Sequence, residues 1–307
     1  MRPVTLYPRL RCGICQLKAQ PRRSFTTSPL LRELDLAYDY YSPPTEEEAN
    51  RNAPILFLHG LFGSKKNNRS MSKVLARDLK RPVYALDLRN HGDSPHHPLH
   101  TYSALASDVE HFIRTHSLTN STLIGHSMGA KTAMAVALRS SDLVANLISV
   151  DNAPVDATLK SYFHQYVRGM QRIEAIGVTS QKEADAILAE YEKNEAIRLF
   201  LLTNLVRTKG EREMRFRVPL KILAGALDEL GSFPFVDPDK VRYEKPALFV
   251  RGTKSHYIPD DVIPIVGRFF PKFSLADVEA GHWVISENPE PFKEAVEEFL
   301  LDADEKD

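Results

Sequence analysis

The sequence predicts an α/β fold: a doubly wound, mostly parallel sheet with helices on both faces and a helical cap inserted late in the chain. Three observations predict it. Short continuous apolar runs, as expected of strands buried on both faces, recur through the first half and again near the end. Stretches with 3.6-residue apolar spacing separate them. Gly125-His126-Ser127-Met128-Gly129 stands between an apolar run and a helix-forming run, in strand, turn, helix order. With 307 residues and 43% hydrophobic content, the chain suffices for one large domain carrying an insertion.

Residues 1–32 read as a separate segment. Seven basic residues, Arg2, Arg9, Arg11, Lys18, Arg22, Arg23 and Arg32, precede the first acidic one, Glu33. With Ser24, Thr26, Thr27 and Ser28 this is the composition of a mitochondrial transit peptide, removed within residues 22–28, and it predicts import into the matrix. Cys12 and Cys15 fall inside it as a C-x-x-C pair with no preceding strand and no second pair, so neither redox nor zinc chemistry is expected of them. Cleavage would leave no cysteine, and therefore no thiol nucleophile. The remainder carries 33 basic against 40 acidic residues, with no electrostatic footprint for nucleic acid. No uninterrupted apolar run reaches the roughly 18 residues of a membrane span, so a soluble mature protein is expected.

Leu34 to Tyr41 alternates as a strand, and Ser42 to Glu48 reads as a polar loop. Strands follow at Pro54–Leu58, Val83–Leu88, Thr122–Ile124, Leu147–Val150 and Ala247–Val250. Helices are expected at 70–79, 102–115 and 128–139. This makes 33–154 the first part of the core. Between 155 and 244 the strand rhythm stops, and 159–176, 182–191 and 196–206 have amphipathic spacing: a helical cap that would roof a site at the sheet's C-terminal edge. The core resumes over 245–307, with a strand at Phe273–Val278 and a helix from Pro291 to Leu301.

The pentapeptide at 125–129 suits a nucleophile elbow. A serine hydroxyl is a poor nucleophile at neutral pH and must be lifted on a sharp turn to where a base can reach it, and glycines two residues to either side leave room for that turn. Of eleven histidines, His282 has the best claim to be the base, because it follows the last strand and precedes the terminal helix. Asp151, Asp228, Asp260 and Asp261 compete for the acid. Asp151 is preferred because it ends a strand beside the nucleophile's, whereas the strand that more usually carries the acid ends in Val250-Arg251-Gly252-Thr253-Lys254-Ser255, with Ser255 where a carboxylate would stand. The N–H groups of Leu61 and Met128 are expected to form the oxyanion hole. Asp87 to Pro95 either lines the pocket, orders that loop or is a plain turn. His96, His97 and His100 lack ligand spacing, so neither metal nor cofactor is expected. Arg207, Lys209, Arg212, Arg215 and Arg217 could meet the phosphates of coenzyme A, but such a run is more often a wet surface.

The stretches 59–64, 87–92, 125–131 and 151–155 together resemble, in the same order, the motifs of the mitochondrial α/β-hydrolase subfamily that includes the fungal ethanol acetyltransferases and the mammalian abhydrolase-domain proteins of the matrix. The resemblance implies the α/β-hydrolase fold and an acyl-serine mechanism with esterase or thioesterase activity, extending to acyl transfer onto a short alcohol. The expected substrate is therefore a small ester or an acyl-CoA. The rival of another class is a non-catalytic matrix binding or scaffold protein on the same fold.

Overall fold

The computed structural model describes residues 32–157 and 161–305. The expected transit segment, its cleavage region and both cysteines lie outside them, apart from Arg32. The described chain runs β1 (Tyr38–Tyr41), α1 (Glu46–Arg51), β2 (Ile55–Leu58), α2 (Arg69–Asp78), β3 (Val83–Leu86), α3 (Tyr102–Thr115), β4 (Ser121–His126), α4 (Met128–Arg139) and β5 (Val144–Val150). An insertion follows: α5 (Ser161–Ile176), α6 (Gln181–Leu188), α7 (Glu195–Leu202), a hairpin of β6 (Leu205–Arg207) and β7 (Met214–Phe216), and α8 (Leu220–Gly231). The chain then returns through β8 (Ala247–Gly252), α9 (Ile263–Phe269), β9 (Phe273–Val278), α10 (Val284–Glu287) and α11 (Pro289–Asp304).

Seven strands form one sheet in the order β1-β3-β2-β4-β5-β8-β9, antiparallel only at β1. The buried strands read as unbroken apolar runs, yet the pleat still sorts them. Leu56, Leu58, Leu123, Leu147 and Phe249 face a core shared with α3, α4 and the insertion, while Ile55, Phe57, Ile124, Ile148 and Val250 face a second core under α2 and α11. Because the inner strands are parallel, β4, β5, β8 and β9 all end at one edge, where the site forms.

Two local expectations are corrected. Glu46 to Glu48 is not loop but the first turn of α1, because Thr45 accepts the Glu48 N–H while the Glu48 carboxylate takes the Thr45 N–H, satisfying the free donors of the helix start. The insertion is not purely helical. Its expected third helix stops at Leu202, and the chain turns into the β6–β7 hairpin before α8, neither of which was expected.

Candidate active site

Ser127 follows the last residue of β4, and its N–H still pairs with the Val150 carbonyl of the neighbouring strand at 3.0 Å. The chain then doubles back into α4, which forces Ser127 to φ 55° and ψ −114°. This turn explains the flanking glycines. A Cβ on Gly125 would lie 2.2 Å from the Gly129 carbonyl oxygen, and one on Gly129 would lie 2.5 Å from that of Leu58. The serine hydroxyl faces His282 Nε2 at 3.0 Å.

His282 sits on the loop after β9. Its carbonyl accepts the His126 Nε2–H at 2.7 Å, and the N–H groups on either side, of Gly281 and Trp283, are taken by the Glu287 carboxylate. Burial holds His126 neutral down to about pH 4, so it remains a single-proton donor here. The imidazole of His282 lies flat on the Tyr257 ring, with centroids 4.0 Å apart and planes 18° apart. Its Nδ1–H points at Asp151 Oδ2 across 2.7 Å.

Asp151 repeats the geometry of Ser127 one strand over. It follows the last residue of β5 at φ 51°, its N–H pairs with the Val250 carbonyl at 2.8 Å, and its carboxylate is wholly buried. Oδ1 accepts the Gly252 N–H at 3.1 Å, and Oδ2 accepts Ser255 Oγ–H at 2.5 Å as well as the imidazole. The other three carboxylates stand elsewhere: Asp228 is fully exposed 3.9 Å from His164, Asp260 is paired with Arg251, and Asp261 is on the surface. Asp151 alone of the four reaches the imidazole.

The turn at 59–63 approaches the nucleophile so closely that a Cβ on Gly60 would sit 3.3 Å from Ser127 Cβ. The Leu61 N–H makes no backbone bond among the described residues, and the Met128 N–H, first in its helix, has no intrahelical acceptor. Of the readings open for 87–95, the structure gives the ordering role. His91 donates Nδ1–H to the Arg89 carbonyl and accepts the Phe62 N–H on Nε2 at 3.1 Å, and His59 likewise bonds the Gly60 carbonyl and the Leu88 N–H. Burial lowers both histidines, His91 strongly, which keeps each an acceptor as well as a donor. Asp87 holds the segment just after the turn through the Lys65 N–H and ammonium, and Asn204, from the insertion, donates to the Phe62 carbonyl within it at 2.7 Å.

The insertion covers this edge. Phe200 packs on Trp283, Tyr162 shares a 2.9 Å hydrogen bond with Tyr257, and buried Lys131, one turn into α4, donates to the Gly231 and Ser232 carbonyls at the end of α8. Between α7, α2 and α10 lies a cavity of about 630 Å³, mostly apolar, lined by Met71, Ile197, Phe200, Trp283 and Ile285 and reaching the site at Gly60 and His126. None of the five basic residues at 207–217 lines it. Arg215 pairs with Glu211 and Glu213, Arg217 with Asp93, and Arg207 bonds the Thr179 carbonyl. His100 is buried against Asn90, and no cluster able to hold a metal occurs among the described residues.

Residues 53–183 match the family model described as the alpha/beta hydrolase fold. A Saccharomyces cerevisiae protein named "Probable alcohol acetyltransferase" is 40% identical over 87% of this chain and 83% of its own. An sn-1-specific diacylglycerol lipase of Xenopus laevis is 38% identical over 94% and 90%. Among solved structures, a marine microorganism esterase aligns over 87% of this chain and all of its own, with a TM-score of 0.79 and 30% identity.

Proposed function

The chain belongs to the α/β-hydrolase family and is an enzyme of the hydrolase type, and from that premise we propose that Ser127, His282 and Asp151 carry out ester hydrolysis and acyl transfer through an acyl-serine. The observation that carries the reading is the continuous chain of contacts, 3.0 Å from hydroxyl to Nε2 and 2.7 Å from Nδ1 to carboxylate.

In the forward half, Ser127 Oγ gives its proton to His282 Nε2 and attacks the acyl carbon, while Asp151 fixes the Nδ1–H tautomer and stabilises the imidazolium. Charge on the carbonyl oxygen falls between the Leu61 and Met128 N–H groups. The imidazolium returns its proton to the leaving alcohol or thiol, and the acyl group stays on Ser127. An acceptor, water or a short alcohol, then loses its proton to Nε2 and attacks; the tetrahedral species collapses, and Oγ recovers the proton. The relatives named for acetyl transfer and for diacylglycerol lipolysis differ in that acceptor and in the acyl group. The mostly apolar cavity beside Gly60 supports carboxylic esters with a hydrocarbon portion. Thioesters remain within the same chemistry, although the basic run offers no phosphate cradle.

A fluorophosphonate probe and a short-chain nitrophenyl ester test this. Wild type should be labelled and active, and Ser127→Ala should lose labelling and about a millionfold in rate. An unlabelled, folded wild type would favour the scaffold reading. Matrix location, read from residues 1–32, is part of the proposal: mature protein recovered from mitochondria should begin within or just after 22–28, and a chain retaining Met1 in the cytosol would refute it.

A further inference from the structure

Ser255 stands on the turn after β8, and the mechanism above makes no use of it. Its oxygen accepts the Tyr257 N–H at 3.3 Å, so its own hydrogen is directed at Asp151 Oδ2, 2.5 Å away. That is the oxygen to which His282 Nδ1–H donates at 2.7 Å. Two donors therefore share one carboxylate oxygen, while Oδ1 is occupied by the Gly252 N–H. Two residues on, the same turn lays the Tyr257 ring flat against the His282 imidazole. One short segment thus touches both the acid and the base.

We propose that Ser255 is a positioning residue of this site: by sharing Asp151 Oδ2 with the imidazole it fixes the carboxylate's orientation and limits the negative charge that His282 faces. The inference rests on the acyl-serine reading and goes beyond it by assigning the hydroxyl a role in proton transfer. A hydrogen bond to an ionised group lowers the charge available to any other donor on the same oxygen. Without the hydroxyl, Asp151 Oδ2 would attract the imidazolium more strongly, and the carboxylate would also lose one of its three tethers.

The groups facing Asp151 and His282 are His126 from β4, Tyr162 from α5, Tyr257 beside Ser255, Ser127, and Glu287 behind the 281–283 backbone. His126 is held down at about 4 by burial, and burial raises both tyrosines above their ordinary value. Those three keep their charge across the acidic limb of an ester-hydrolysis profile.

The experiment compares wild type, Ser255→Ala, Ser255→Thr and Ser127→Ala for kcat/KM on a nitrophenyl ester from pH 5 to 9, with thermal melts alongside. Ser255→Ala should lose about tenfold at the plateau, and its acidic limb should move to higher pH by several tenths of a unit. Ser255→Thr, which keeps the hydroxyl, should restore the limb to its wild-type position. An Ala limb superimposed on wild type, or a Thr limb displaced as far as that of Ala, overturns the role; melts recorded at each pH confine the comparison to conditions in which every variant is folded, so that acid unfolding is not read as a moved limb. Activity surviving in Ser127→Ala would instead overturn the acyl-serine reading, so the two failures are separable.

Discussion

At the residue scale, the site is built from two side chains held where L residues rarely sit: Ser127 at φ 55° and Asp151 at φ 51°, each just past the end of a strand. Such backbones cost on the order of 1–3 kcal/mol each and persist because both N–H groups are tied to the next strand. Gly125→Ala, which would put a methyl 2.2 Å from a backbone oxygen, should therefore lower the melting temperature sharply and abolish probe labelling; normal labelling would show that the turn can relax. Asp151→Asn should keep the melt and lose about 10⁴ in kcat through the wrong imidazole tautomer, measured by ester hydrolysis. A loss below tenfold would mean that another group orients His282. Ser127 was legible in the sequence because the elbow is local, five residues with their own steric reason. His282 and Asp151 were legible from their places at strand ends. The place of Ser255, where a carboxylate would stand, was legible but its bond to Asp151 was not, and Asn204 was not legible at all, since no pattern around it marks its partner 142 residues away.

At the scale of elements, the nucleophile helix and the insertion are joined through Lys131, whose ammonium ends on the last carbonyls of α8, where the helix dipole favours a cation. Lys131→Met should raise amide hydrogen exchange over 226–232 and leave β4 and β5 protected. Unchanged exchange in α8 would show that apolar packing alone holds it. The loop after β3 depends on the wholly buried Arg89–Asp108 pair, with contacts of 2.6 and 2.7 Å. Arg89→Met leaves an unpaired buried carboxylate and should cost about 3–5 kcal/mol by denaturant titration; a cost under 1 kcal/mol would mean that Asp108 finds another partner. Long periodic helices such as α3 and α4 match their expected limits, 102–115 and 128–139, because their pattern spans three or more turns. Helix α1 was missed although Thr45 and Glu48 spell a capping box, since its six residues bury none of their side chains. The β6–β7 hairpin was missed because three-residue strands carry no period to read.

At the scale of the molecule, burial keeps four histidines neutral: His59 and His91 at the turn facing the nucleophile, His100 at about 3 and His126 at about 4. In the unfolded chain each would take a proton near its ordinary 6.5, so below that pH the unfolded state binds more protons, and stability falls as pH drops toward 4. Each histidine contributes about 1.4 kcal/mol per pH unit across its window, so urea midpoints should fall steeply from pH 6.5 to 4; a level midpoint would contradict their burial. The order of the sheet was only partly legible. The alternation of strands and helices announces a parallel sheet, but which strand lies beside which follows from crossovers that apolar runs do not encode. That order has one last consequence. Ser127, Asp151, Ser255 and His282 each follow a different strand, from β4, β5, β8 and β9, so no fragment short of the assembled sheet brings them within reach. Chemical reactivity at Ser127 thus serves as a built-in reporter of global integrity: in a urea titration, phosphonate capture and far-ultraviolet ellipticity should vanish at one midpoint.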